Sequence, residues 1–561
     1  MFGLWIIACV GSEPDSGTSA TDSAVGESTP LTDTAPTVDS GAHTGDSGGS
    51  STTLTQHGVV TCAEPELRDS EGPMVLLDHG QAWDDQVPSP GESFNFGTTL
   101  AVEDFDGDGH WDIFLGHVSA GLWFRGTEAG ELVLDTQPLP ALTLPEDNPN
   151  WRARGITAAD VDADGDPDLV IGTAAVGTLV WRNDAGVFVD ASELSGLSAA
   201  LLDADGLPMG DLDGDGDLDL FLGHDSVGEQ PPDPGQDNAL YLNQGDGTFV
   251  DVSDRLEAEH KDGYVQVATL ADLDLDGDVD LYITNHHGSY SGSKLLLNDG
   301  TGTWTAAPDA GLDVNIEGMG VALGDTNDDG LPDLLISGWG ELALLESVGA
   351  GVWARTEKVR ELVPDRDRDQ EVAWGNALAD LDNDGDLDAV VGFSKSNRDD
   401  SARTDPEDQP DGLWLREGDV FVDQASSWGL RQKRDTRAVV VWDYNGDGWL
   451  DVLKSAVGGK AVLWTARCGD AAWLEVSLAQ PVPNPRAIGA QVRVEAGDRS
   501  WVRWVTAGSI GYVSSAPPQV HFGLGDVDAV DRVVVTWPDG TEETLEGVDA
   551  RQRVTVTRGG P

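Results

Sequence analysis

The sequence predicts an all-β chain, a seven-bladed β-propeller over residues 59–467 followed by a small antiparallel, β-sandwich-like domain over 468–561. Three observations lead there. A nine-residue acidic pattern, Asp-x-Asp/Asn-x-Asp-Gly-x-x-Asp, recurs seven times, its starts separated by 56, 51, 61, 53, 55 and 63 residues. Four short apolar runs accompany each full copy, and four strands per repeat of this length is the period of a propeller blade. From about Gly469 the pattern changes to alternating runs, Trp473–Leu478, Gln491–Glu495, Trp501–Trp504 and Arg532–Trp537, which read as strands of a separate domain.

Composition narrows the function. The chain carries 101 Asp and Glu against 32 Lys and Arg, a formal net charge of −69. Such a surface repels phosphate and excludes nucleic acid as a partner. Three Cys in 561 residues cannot form a disulfide framework, while 39% hydrophobic residues and 19 Trp supply ordinary cores.

At the amino terminus, Met1 to Val10 read MFGLWIIACV, an apolar run ending in a small residue and Cys9. This resembles a bacterial lipoprotein signal over residues 1–9. The resemblance implies a lipid on Cys9, a membrane link through that lipid alone, and a place in the bacterial cell envelope, at the outer membrane or exposed on the surface. Residues 10–58 are mostly Ser, Thr, Asp, Gly, Ala and Pro. They bury too little to offset their ordering entropy and are expected to form a disordered tether.

The acidic pattern has a chemistry of its own. Carboxylates at positions one, three, five and nine, a Gly at six for the tight turn and a backbone carbonyl at seven suit a hard cation with six to eight oxygen ligands, and calcium is the natural occupant. The candidate ligands at positions one, three, five, seven and nine are Asp104, Asp106, Asp108, His110 and Asp112 in the first loop, and Asp160, Asp162, Asp164, Asp166 and Asp168 in the second. The third supplies Asp211, Asp213, Asp215, Asp217 and Asp219, and the fourth Asp272, Asp274, Asp276, Asp278 and Asp280. The fifth has Asp325, Asn327, Asp329, Leu331 and Asp333, the sixth Asp380, Asp382, Asp384, Asp386 and Asp388, and the seventh Asp443, Asn445, Asp447, Trp449 and Asp451. Up to seven Ca2+ sites follow, weaker where Asn327 and Asn445 remove a charge. An EF-hand is rejected because position twelve is apolar, as at Leu115 and Leu222, where that motif needs a bidentate Glu.

Apolar runs flank the loops, such as Val267–Ala271 before one, Leu218–Leu222 after another, then Ala239–Asn243, a Gly-rich turn and Phe249–Val252. With these strands the repeats resemble the FG-GAP or VCBS repeats of integrin alpha chains and of the cartilage acidic protein family. That resemblance implies a propeller with its Asp loops joining the first and second strands of each blade on one lower face. The seventh repeat runs out after Ala461–Trp464, and Met74–Asp78 resembles the missing fourth strand. This closure would bring Cys62 near Cys468, either as a disulfide or as two free thiols.

Ala487-Ile488-Gly489-Ala490, Gly511-Tyr512, Phe522-Gly523-Leu524-Gly525 and Trp537-Pro538-Asp539-Gly540 resemble the ASPIC/UnbV domain that follows such propellers. No nucleophile elbow, zinc-protease helix or phosphate loop is present, so an enzyme is not expected. Long second-to-third strand connections in the third and sixth repeats, with Arg152, Arg154, Arg431, Lys433 and Arg434 bordered by Trp151 and Trp374, mark a candidate upper face for an anionic protein or glycan. Local charge balance explains the same basic residues. The expected function is calcium-dependent adhesion or recognition of a protein or glycan. The alternatives are an envelope or matrix scaffold without a specific ligand, and a hydrolase or lyase using the upper propeller pocket.

Overall fold

The computed structural model describes residues 52–59, 74–76, 99–116, 121–128, 130–135, 139–140, 153–173, 176–197, 204–224, 237–257, 261, 265–286, 292–349, 351–363, 371–395, 410–431, 435–457, 461–466, 468–508 and 511–559. Cys9, Cys62, Trp151, Arg152, Lys433, Arg434 and nearly all of the expected tether lie outside them. Ser50–Pro561 forms one compact unit.

The chain is all-β, and each of its seven Asp loops belongs to an antiparallel sheet of the kind that makes a propeller blade. In the sixth repeat, Glu371–Ala379, Asp388–Lys395, Gly412–Glu417 and Val420–Asp423 pair each with the next. First and second strands are buried on both faces and are therefore apolar without alternation, as in Ala153–Ala159 and Asp168–Thr173. Fourth strands are half-exposed: Phe188 is buried while Val189 and Asp190 are exposed. The polarity gradient along each sheet thus runs from an inner first strand to an outer fourth. First strands pack against one another in sequence order, and that of the seventh repeat, Asp435–Trp442, packs against that of the first, Thr99–Glu103, so the series closes.

Closure uses a segment from the other end of the repeats. Met74–Leu76 pairs antiparallel with Val462–Ala466, Met74 opposite Ala466 and Leu76 opposite Trp464, and supplies the fourth strand that the seventh repeat lacks.

The C-terminal lobe is two four-stranded sheets sharing one core, in which Leu474, Val476, Phe522 and Val554 meet Val492, Val494, Val533 and Val535. Two expectations are corrected here. The lobe is not wholly antiparallel, because Ala472–Ala479 runs parallel to Gln552–Thr557; a parallel pair needs a long crossover, and the intervening strands provide it. Residues 53–58, expected to end the disordered tether, belong with residue 59 to a strand, Thr53–Val59, on the edge of that same sheet against Gln552–Thr557. Leu54 packs on the lobe's core, and the ladder with Gln552–Thr557 pairs one side of the strand's backbone.

After Trp504, residues 505–508 and 511–518 leave this lobe and run among the first strands of the repeats. Met209 N–H donates to Ala507 O (3.3 Å), Gly511 N–H to Val321 O (2.9 Å) and Leu100 N–H to Val513 O (3.2 Å). Ser514–Ser515 pairs parallel with Leu100–Ala101, Ala158 N–H donates to Ser515 Oγ (3.2 Å), and Ser514 Oγ reaches Val439 O (3.3 Å). Tyr512 packs on Trp374, ring centroids 4.9 Å apart. One segment of the C-terminal lobe therefore touches the inner strands of the first, second, third, fifth, sixth and seventh repeats.

Candidate metal centres

Each Asp loop begins on the residue after a first strand and ends on the residue that opens the second, so both strands fix its ends. Inside, three hydrogen-bond patterns repeat around all seven copies. The position-one carboxylate accepts from the position-six Gly amide, as Asp104 Oδ2 does from Gly109 (2.9 Å) and Asp443 Oδ2 from Gly448 (2.7 Å). The position-five carboxylate accepts from the position-seven amide, as Asp108 does from His110 (2.9 Å) and Asp329 from Leu331 (2.9 Å). The position-six Gly holds φ between 82° and 108° in every loop, a region that side chains with a Cβ avoid.

The position-nine carboxylate bridges two elements. Asp219 Oδ2 accepts from Leu212 N–H (2.8 Å) in its own loop, while Oδ1 accepts from Asn243 N–H (2.8 Å) on the third strand. Asp112, Asp168, Asp280, Asp333, Asp388 and Asp451 make the same pair of bonds. Their side chains are buried, and each is a structural tie as well as a candidate ligand.

Loops are also tied to their neighbours by residues that the acidic pattern does not contain. Asn183, Asn243 and Asn298, at the ends of third strands, donate to the carbonyls of Phe105, Val161 and Leu212, each at position two of the preceding loop. Arg416 Nη1 makes the equivalent bond to Thr326 O (2.7 Å). The only sequence signal for them is a polar residue closing an apolar third run. Arg125 and Arg182 pair with the position-three Asp106 and Asp162, and Arg416 with Asp386 (2.7 Å) and with Asp328.

Among the described residues, five loops bring three carboxylates within 4.8 Å of one another. They are Asp104 with Asp106 and Asp108, Asp160 with Asp162 and Asp168, Asp211 with Asp213 and Asp219, Asp272 with Asp274 and Asp276, and Asp380 with Asp382 and Asp388. The loops carrying Asn327 and Asn445 are not in this set. Burial pushes Asp112, Asp168, Asp219 and Asp280 up to about 8, opposed by the amides they accept from and assisted by repulsion from the loop's other carboxylates. Asp160, Asp211, Asp272 and Asp325 rise to about 6 for the same first cause. Asp213 and Asp382 each keep one buried carboxylate oxygen with no hydrogen-bond partner. Converging oxygens, raised carboxyls and orphan acceptors fit a hard divalent cation, which would return these groups to the ionised state. Aspartates at positions one, three, five and nine would hold it.

The expected ligand face fares differently. Arg154 is buried, its guanidinium paired with Asp205 at 2.7 Å and both side chains fully covered, so it is not a surface cation. Trp374 is buried beneath Tyr512, with the Arg437 guanidinium 3.5 Å above its ring, and borders no open face. Both lie on first strands, Ala153–Ala159 and Glu371–Ala379, where they are covered by neighbouring residues, which turns before a strand do not reveal in sequence. Arg431 pairs with Asp423 (3.4 Å) and Ser426 (3.1 Å). Cys468 is a disulfide cysteine.

Known proteins carry the same parts. The FG-GAP-like repeat family matches residues 104–171, 160–222, 211–283 and 272–336, each match opening on the first Asp of a loop, and the ASPIC and UnbV family matches 480–561. Cartilage acidic protein 1 of Homo sapiens is 26% identical over 484 residues, covering 80% of this chain and 69% of that one. The Mus musculus protein is 25% identical over 484 residues (80% and 71%), and that of Xenopus tropicalis 25% over 500 (81% and 72%). Among solved structures, a lectin of Agrocybe aegerita described as recognising non-reducing terminal N-acetylglucosamine is 16% identical with a TM-score of 0.38, covering 61% of this chain and 85% of that one. BBS1N, solved in complex with ARL6DN, is 9% identical with a TM-score of 0.39, covering 71% and 98%. At those scores neither likeness carries an argument. The repeats, the terminal domain and the relatives agree: the chain joins FG-GAP-like repeats to a C-terminal ASPIC/UnbV domain and is a distant homologue of cartilage acidic protein 1.

Proposed function

We propose that the protein is a calcium-stabilised, seven-bladed propeller displayed on the bacterial cell envelope through a lipid on Cys9, acting as a non-enzymatic recognition module for a protein or glycan. The observation that carries the calcium part is the sevenfold repetition of one hydrogen-bonded Asp loop with buried, cation-seeking carboxylates. Extracellular modules bind calcium with dissociation constants of about 0.1 to 1 mM. At ten times that constant each site stabilises the fold by about 1.4 kcal/mol, so seven independent sites supply about 10 kcal/mol, comparable to the stability of a whole domain. Thermal unfolding of residues 50–561 in chelator and across micromolar to millimolar calcium tests this. A saturable upward shift with several ions bound is expected; no shift and no bound calcium would end the calcium reading.

A second reading, a scaffold without a specific ligand, is favoured by the burial of Arg154 and Trp374, which removes two residues from the expected ligand face. The placement of residues 505–508 and 511–518 among the inner strands supports binder or scaffold over a hydrolase or lyase acting from the central pocket.

A further inference from the structure

The C-terminal lobe rests on the Asp loops themselves. Its His521 ring, stacked on Trp473 (centroids 6.2 Å, planes 16° apart), places Nε2 3.1 Å from Gly448 O. That same carbonyl accepts from Asn383 Nδ2 (3.0 Å) of the sixth loop, while the Gly448 amide holds the position-one carboxylate of Asp443. Trp473 lies so close to Gly448 that a Cβ there would enter its ring. In the sixth loop Gly525 N–H donates to Asn383 O (2.8 Å), and the Trp501 indole covers Gly385. Arg503, buried, faces Asp325, Asp328 and Asp380 of the fifth and sixth loops. By contrast, the two glycines of the first loop have nothing within 4 Å of their Cβ positions, and the lobe reaches that corner through Arg486 and Glu103 (3.1 Å).

We propose that the Asp loops of the fifth, sixth and seventh repeats double as the docking joint of the C-terminal lobe, so that emptying them of cation unseats the lobe and withdraws residues 505–518 from the inner strands. The inference rests on the calcium reading above and adds to it a consequence for the domain arrangement. The coupling is local. The position-six residue Gly448 bonds a candidate ligand carboxylate through its N–H and the lobe through its carbonyl, so a loop that relaxes cannot keep both bonds. Without a cation, the carboxylates within each of these loops repel one another, offset in the fifth and sixth only by the guanidiniums of Arg503 and Arg416, and the shape that receives Trp473 on the seventh loop and Trp501 on the sixth is lost. The inserted segment follows, because its ends at Trp504 and Gln519 belong to strands of that lobe.

Hydrogen exchange of the full folded chain, with bound calcium measured in the same samples, tests the proposal. Amides of 505–518, above all that of Gly511, are expected to exchange at least tenfold faster in chelator than in saturating calcium. Asp380→Asn should speed them in saturating calcium as well; should that variant not fold, the wild-type comparison decides alone. Calcium bound with 505–518 equally protected in both conditions would overturn the joint and leave the calcium reading standing. No calcium bound would remove both.

Discussion

At position nine of each loop a single carboxylate orders two backbone elements, and its loss should be felt with or without metal. Asp219→Ala leaves the Leu212 and Asn243 amides buried without acceptors, and an unsatisfied buried donor costs about 1–3 kcal/mol. The expected loss is about 2–5 kcal/mol in urea unfolding performed in chelator; a loss confined to calcium-containing buffer would show that the residue is a ligand alone. The acidic pattern itself was legible because a chelating loop gathers its ligands within nine residues. Asn183, Asn243 and Asn298 were not, since each serves a carbonyl 78 to 86 residues upstream, and a terminal Asn on a strand reads as an ordinary turn residue. Arg154 and Trp374 misled for the opposite reason. A basic residue beside an aromatic one has the same appearance whether the strand turns it toward solvent or toward a buried partner such as Asp205 or Tyr512.

Among elements, the strands of the repeats were legible from their apolar runs, and even Met74–Leu76 could be assigned because it resembles the fourth strands of other repeats. Thr53–Val59 could not, because its partner, Gln552–Thr557, lies some 500 residues away and its own composition is that of a tether. The parallel pairing of Ala472–Ala479 was likewise invisible, since alternation marks a strand without giving its direction. The disulfide at Cys468 belongs to this scale: the remaining cysteines are Cys9 and Cys62, and Cys62 is twelve residues before the closing strand. A Cys62–Cys468 bridge predicts that Cys468→Ser loses about 2–4 kcal/mol of stability and that peptide mapping without reductant recovers the two segments linked. Two alkylatable thiols in the unreduced protein would refute it.

The molecule as a whole is an assembly of buried acids, and its response to pH should show this. A carboxyl that titrates at about 8 when folded and near 3.8 when unfolded holds its proton more tightly in the folded chain. Metal-free stability is therefore lost as pH rises between those values. In chelator the melting temperature is expected to fall from pH 5 to pH 8, whereas the calcium concentration at half-saturation should also fall over pH 6 to 8 as the ion displaces fewer protons. Calorimetry at fixed ionic strength checks both trends, and a metal-free protein that gains stability toward pH 8 would contradict the burial of these groups. The edge strand Thr53–Val59 has a mechanical consequence. A chain pulled from its residue-52 side would transmit load first into the ladder with Gln552–Thr557, and only afterwards to Met74–Leu76. The C-terminal lobe then works as a strain relief, taking tension before it reaches the three-residue strand that keeps the circle shut.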